Sequence, residues 1–281
     1  MPRPHIEFIH AQDLPWQSNA LPGALNDLDC KVLSSDAESG ACSVIVKIPP
    51  GWSRQGIENW SAAQEFFVLD GAVDIGSQTY GMDAYGYLPS GFTRQGQRSA
   101  QGAVILAFFD ATPEIRPGPG APDPTRPAIP HVNLHEEPWT SDGIDPELLK
   151  GRIFVHKLLR YDPVRGDKTV MLNASAHSHP PGWKQRQLHH PCVEEFFILA
   201  GDITGPEGIM TAGAYFWRPP GIAHGPFGSR TGYLAICRFV DGHHVNIWHE
   251  EYLPYTYAQP FNPVLPDTLR RLARPRMIAP Y

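Results

Sequence analysis

Residues 194–201 read EEFFILAG, and residues 64–71 read QEFFVLDG. In each, a polar pair leads an aromatic and aliphatic run that glycine closes, the pattern of a strand ending in a turn. A run that occurs twice makes an internal repeat the first thing to establish, because a repeat decides the fold around it. PPGW recurs at 49–52 and 180–183, AYGYLPSG at 84–91 faces AYFWRPPG at 214–221, and AVILAFFD at 103–110 resembles YLAICRFVD at 233–241. Upstream, Lys31-Val32-Leu33 aligns with Lys157-Leu158-Leu159, and at that offset Asp36 meets Asp162, Gly40 meets Gly166 and Val44 meets Val170. Pro-Trp introduces each copy, at Pro15-Trp16 and Pro138-Trp139. The chain reads as two copies of one domain, over roughly 12–110 and 134–241.

Within each copy the apolar runs are short and separated by Gly and Pro, which indicates a β-sandwich or barrel. The 30 prolines and 26 glycines among 281 residues favour turn-rich β structure over helix. The expected domains are 1–112 and 134–241, joined by a Pro/Gly-rich linker at 113–133 whose composition excludes helix and central strand. A tail at 242–281 is rich in aromatics and is expected to pack on a barrel wall or a second subunit. Short helices are expected only near 146–150 and 266–273.

The chain is 42% hydrophobic and carries a formal net charge of −6. That mild acidity argues against nucleic acid or anionic membrane as partner, since both need a basic face. No apolar run is long enough to span a bilayer, and the N-terminus lacks a signal-peptide core. Cys30, Cys42, Cys192 and Cys237 form no CxxC pair and sit in or beside β-type runs, which suits small buried hydrophobes in a reducing, cytoplasmic setting.

The chemistry gathers in the second copy, around QLHHPCVEEFFILAG at 187–201. His190 is expected to end one strand, Pro191-Cys192-Val193 to turn, and Glu194 to begin the next. Adjacent antiparallel strands bring such side chains within reach of one another. His224 follows a Pro-Pro-Gly turn and would arrive from a third strand. Two imidazoles and a carboxylate with open positions suit a divalent first-row metal. The spacing runs Gly182, five residues, Leu188, one residue, His190, three residues, Glu194, six residues, Gly201. Downstream, Gly213 is followed by five residues, Pro219, one residue, Gly221, two residues and His224.

These two runs resemble the paired motifs of the cupin superfamily, G(X)5HXH(X)3–4E(X)6G and G(X)5PXG(X)2H(X)3N. Leu188 stands where the first motif has its leading His, and Gly228 replaces the closing Asn. With the repeat, the chain looks like a bicupin: all-β, two cupin-type (double-stranded β-helix, jelly-roll) barrels. The resemblance implies metal ligands at His190, Glu194 and His224, with His189 the alternative in a shifted register. His177 and His179, in the longer stretch before PPGW of copy two, are further candidates for the position Leu188 lacks. Copy one shows Glu58-Asn59 opposite His189-His190 and Arg94 opposite His224, so no metal is expected there. Glu195 shares its position with Glu65 and reads as architectural, as do Phe196, Phe197, Tyr215 and Phe216 as core. His243-His244 read as surface or interface.

The resemblance implies a metal-dependent enzyme acting on a small organic molecule, above all an oxygenase, with one divalent metal. Fe(II) is favoured; Mn, Ni and Zn remain open. Glu194 and Arg218 are the expected catalytic groups, Arg218 either anchoring a substrate carboxylate or enolate or lying exposed on its strand. The alternatives are a metal-dependent isomerase, lyase or hydrolase and a non-catalytic ligand-binding bicupin. A homodimer is compatible with either.

Overall fold

A computed structural model describes residues 3–177 and 179–277, which are almost wholly strand and turn. It divides into two compact units, residues 1–3 with 14–137 and residues 4–13 with 138–281.

Both units are built on the same order of five strands. In the first, Asp29–Ser35, Cys42–Ile48, Ala103–Phe109, Gln64–Ile75 and Ala84–Leu88 are neighbours in that order. In the second, the order is Phe154–Tyr161, Lys168–Ala174, Tyr233–Val240, Val193–Gly205 and Ala214–Arg218. All pairings are antiparallel. Alternate residues of these strands face one core, as a pleat with period two requires. In the second unit that core holds Val170, Leu172, Phe196, Ile198, Phe216, Ala235, Cys237 and Phe239. Phe196 stacks on Phe216 at 5.0 Å. Phe197 and Tyr215, on the opposite face, are buried as well.

The duplicated EFF…AY pattern has a polar cause. Tyr85 Oη donates to Glu65 Oε1 at 2.6 Å in the first unit, and Tyr215 Oη to Glu195 Oε1 at 2.7 Å in the second. Glu195 also pairs with Arg238, so its buried carboxylate is charge-compensated. The glycine that closes each run is sterically required. Gly71 and Gly201 have φ of +71° and +80°, and a Cβ there would lie 2.1 Å and 1.9 Å from the carbonyl oxygens of Gly102 and Gly232.

The segments outside the repeat are where the fold departs from the sequence reading. The expected linker is part of the first unit. Ile115–Pro117 pairs with Trp52–Trp60, and Ile129–Asn133 adds to Ala84–Leu88. Proline confines both to edge positions, where a missing N–H costs no ladder bond. The N-terminal strand Ile6–His10 pairs with Ala214–Arg218 and belongs to the second unit, not to a domain beginning at residue 1. The two added edges are thus equivalent: one covers Ala84–Leu88 and the other its counterpart Ala214–Arg218. In the tail, Ile247–Pro254 pairs with Lys184–His189 of its own unit. Among the described residues the α-helices are Pro146–Leu149, capped by the Asp145 side chain on Glu147 N–H, and Asp267–Arg270, and short 3-10 turns form at Ala11–Asp13 and Gly23–Leu25. All four cysteines are buried thiols outside any disulfide. No helix among the described residues is long and apolar enough to cross a membrane.

Candidate metal centre

Backbone hydrogen bonds place the site's side chains. The strand Lys184–His189 ends one residue before His190, and Val193–Gly205 begins after the Pro191-Cys192 turn. Gly221, in the Pro-Pro-Gly turn, donates its N–H to His190 O at 2.8 Å. His224 N–H donates to Leu188 O at 2.9 Å, and Leu188 N–H returns to His224 O at 3.2 Å. Two chain segments far apart in sequence are thereby clamped so that His190, Glu194 and His224 share one end of the unit.

Their donor atoms lie within 4.8 Å of one another. Glu194 Oε2 is 3.6 Å from His190 Nε2 and 3.5 Å from His224 Nε2. Two ligands each about 2.1 Å from a metal are separated by roughly 3.0–3.5 Å in octahedral or tetrahedral geometry, so these spacings fit a shared ion. The imidazoles are oriented for it. Nδ1 of His190 donates to Val245 O and Nδ1 of His224 to Ile222 O, each at 3.0 Å. A carbonyl can only accept, so each neutral ring carries its proton on Nδ1 and presents the Nε2 lone pair to the centre. Burial, reinforced by the Arg218 guanidinium, holds the His224 pKa well below its ordinary value, which keeps that lone pair available.

Arg218 is buried at 2% exposure, not displayed on its strand. Its Nε donates to Glu7 Oε2 at 2.7 Å, its Nη2 reaches Glu7 Oε1, and its Nη1 reaches Glu194 Oε2. Burial opposes its charge, but Glu7 and Glu194 outweigh that, and its pKa lies above the ordinary arginine value. Glu7 is held low by Arg218 despite its own burial. The role of Glu7 is electrostatic as well as structural. With Arg218 cancelling one of two carboxylates, the centre keeps one net negative charge beside the two imidazoles, which suits a cation. The sequence reading missed Glu7; it lies in IEFIH at the chain start, and its strand's partner is more than 200 residues away.

The other histidines go elsewhere. His189 turns away from the cluster and meets His249, Nδ1 to Nε2, at 3.1 Å. His177 Nε2 contacts Arg152 Nη1 at 3.2 Å, and His179 stacks on Trp183 at 3.6 Å. The position lacking a histidine is filled by Leu188 itself, buried beside His224. His244, read as surface, lines the site instead: its ring lies 4.7 Å from that of His190 and 3.7 Å from that of Phe239. Burial, then the neighbouring His190, depresses its pKa to about 3.

The centre opens into a cavity of about 500 Å³. Its walls include Phe196, Phe216, Phe227, Phe239 and Trp248, and Lys168 supplies a cationic group. A mostly apolar pocket with a few convergent polar groups is the usual form of a small-molecule site.

The first unit carries different groups at the same places. Glu58 pairs with Arg94 across the sheet as Leu188 pairs with His224. This register corrects the sequence alignment: Glu58 corresponds to Leu188, and Trp60, not Asn59, corresponds to His190. Gln64 replaces Glu194 and Arg94 replaces His224. The one-residue shift falls within the strand Trp52–Trp60, whose pairing is irregular between Arg54 and Ile57.

A model of the ChrR cupin-like domain matches residues 5–112 and 149–240, and the chain belongs to that family. Solved structures agree on the fold. A "putative dioxygenase" from Nostoc punctiforme PCC 73102 superposes with a TM-score of 0.72 at 20% identity, covering 91% of this chain and 88% of that one. Oxalate decarboxylase OxdC of Bacillus subtilis, in a mutant form, superposes with a TM-score of 0.53 at 14% identity over 86% of this chain and 79% of that one. A further structure of that decarboxylase concerns its Mn(II) centres. No curated protein matches the chain in sequence.

Proposed function

We propose that the second unit binds one divalent metal through His190, Glu194 and His224 and acts on a small organic molecule as an oxygenase. The observation that carries this reading is the convergence of two Nε2 lone pairs and one carboxylate at the wall of an aromatic-lined cavity. His190, Glu194 and His224 would supply the two-His, one-carboxylate donor set of non-haem Fe(II) oxygen chemistry. Fe(II) is therefore the favoured metal, with Mn, Ni and Zn the alternatives. The metal would supply Lewis acidity and O2 reactivity. The chain's own residues do the rest. Val245 and Ile222 carbonyls fix the imidazole tautomers, Arg218 holds Glu194 in orientation, and the Phe and Trp walls exclude water from the substrate. Lys168 favours a substrate with an anionic or enolic oxygen. Arg218 has its donors on Glu7 and Glu194, so it acts through Glu194 as a positioning residue.

A second reading, a non-catalytic small-ligand binder, draws on one observation: Leu188 leaves three protein donors among the described residues. Oxygen uptake separates the two. Protein reconstituted with Fe(II) is expected to consume O2 when screened against small enols, diketones and phenols, and Glu194→Gln protein is not. Uptake that is absent for every compound, while the cavity still binds one of them unchanged, would replace the oxygenase with the binder.

A further inference from the structure

The first unit buries guanidinium N–H groups that its fold leaves unpaired. Arg94, where the second unit has His224, is 1% exposed. Its guanidinium lies over the Trp60 ring at 3.7 Å, which occupies its face but not its N–H groups. Nε, Nη1 and Nη2 of Arg94 all lack a hydrogen-bond partner, although each is buried. Buried arginines are paired as a rule, because an unpaired guanidinium bears its full desolvation cost. Glu58, its neighbour across the sheet, gives it no hydrogen bond. Its Oε1 accepts from Trp60 Nε1 at 2.8 Å and Gln97 Nε2 at 2.7 Å, and it lies 3.6 Å from Arg54 Nη1.

A second guanidinium meets the same space. Arg54 Nη2 is satisfied by Asp27 Oδ1 at 2.6 Å and Ala24 O at 3.1 Å, but its buried Nη1 makes no hydrogen bond. Arg54 and Arg94 line one cavity of about 30 Å³ together with Gln64, Gln97, Trp52 and Trp60. The charged groups on that lining are the two arginines, and the remaining walls are apolar apart from the two carboxamides. The volume is above the ~10–15 Å³ that one water needs and far below that of a drug-sized ligand. The flat fork of a guanidinium matches a carboxylate-type oxyanion.

We propose that the first unit binds a small monovalent planar oxyanion of the carboxylate class on Arg94 and Arg54. The equivalent end of the fold would then serve opposite ions in the two units. The exchange of Glu194 for Gln64 removes the carboxylate that attracts a cation. The exchange of His224 for Arg94 supplies a permanent positive charge. Burial opposes that charge, Glu58 partly supports it, and the Arg94 pKa is lowered only to about 9, so the group stays cationic at neutral pH.

The test is a titration of the full chain with sodium formate, after exhaustive dialysis into a buffer whose only anion is a bulky sulfonate, at constant ionic strength. Calorimetric titration and thermal unfolding are read together. Wild type is expected to show saturable binding near one formate per chain and a Tm that rises with formate concentration. Arg94→Gln is expected to weaken binding at least tenfold, and Arg94→Lys, which keeps the charge but not the fork, several-fold. His224→Ala, altered only in the second unit, retains the response. Nitrate and bicarbonate compete with formate. Absence of saturable binding of all three anions by wild type overturns the proposal whatever the variants do. So does an undiminished response in Arg94→Gln, or a response lost in His224→Ala and kept in Arg94→Gln.

Discussion

The two units share a strand order, a buried Glu–Tyr pair and a closing glycine, yet differ at the four positions that face the same end of the fold. Leu188, His190, Glu194 and His224 in one correspond to Glu58, Trp60, Gln64 and Arg94 in the other. The difference separates what the fold needs from what a site needs. Glu65 with Tyr85 and Glu195 with Tyr215 recur because a buried carboxylate requires its donor in either unit. The mouth residues diverge because nothing in the strand pairing depends on them. Duplication has thus kept the polar groups that hold the sheets and freed those that point into the cavity.

The comparison can be broken most forcefully at its shared element. Glu195→Ala removes the carboxylate that pairs with Arg238, a side chain 12% exposed, and is expected to cost about 3–5 kcal/mol. Denaturant unfolding should show this loss in the transition of the second unit, with metal bound or removed. Next in size is the divergent position Glu194. Glu194→Gln keeps the shape and the Arg218–Glu7 pair but removes the anionic ligand. Its metal affinity, measured by competition with a chromophoric chelator, should fall by at least about a hundredfold, since even outer-shell changes cost ~10–100-fold. Glu7→Gln sharpens the electrostatic part of the argument. It lets Arg218 bear on Glu194 alone, and the same competition should show a loss of about 10–100-fold with folding retained.

Smallest when taken per group and per pH unit is the expected effect on acid stability. Burial is the first cause that depresses the pKa of both His10 and His177 to about 4, and both belong to the second unit. Unfolded, each takes up a proton near pH 6.5; folded, each resists until about pH 4. The unfolded state therefore binds more protons in that window. The contribution is intact above pH 6.5 and falls as pH drops toward 4, by up to ~1.4 kcal/mol per pH unit for each group. Urea midpoints followed from pH 7 to 4 should fall faster for the second unit, and His10→Gln should flatten its slope.

The strand-forming runs of each copy and the spacing of His190, Glu194 and His224 were legible in the sequence because they repeat or follow a motif. What escaped was set by long-range pairing. IEFIH is buried at every position, so it shows no alternation to give its face or partner away. The strands at Ile115–Pro117 and Ile129–Asn133 lie in a Pro-rich segment whose composition reads as linker, and only their edge position makes them compatible with a sheet. Arg218 was legible as a charge on a strand, but its burial depends on Glu7, which no local pattern connects to it. His244 comes to the cavity because the tail strand Ile247–Pro254 returns beside Lys184–His189. The Trp60–His190 correspondence follows from the QEFFVLDG and EEFFILAG runs just downstream, whereas counting forward from PPGW misses it by one residue.

The central claim is that one unit holds a metal and the other does not. Elemental analysis of chain purified without chelator, then loaded with Fe(II) and desalted, tests it directly. One metal per chain, lost in His224→Ala and unaffected by Arg94→Gln, is the predicted result. Two metals per chain, none after loading, or one that survives His224→Ala would contradict it.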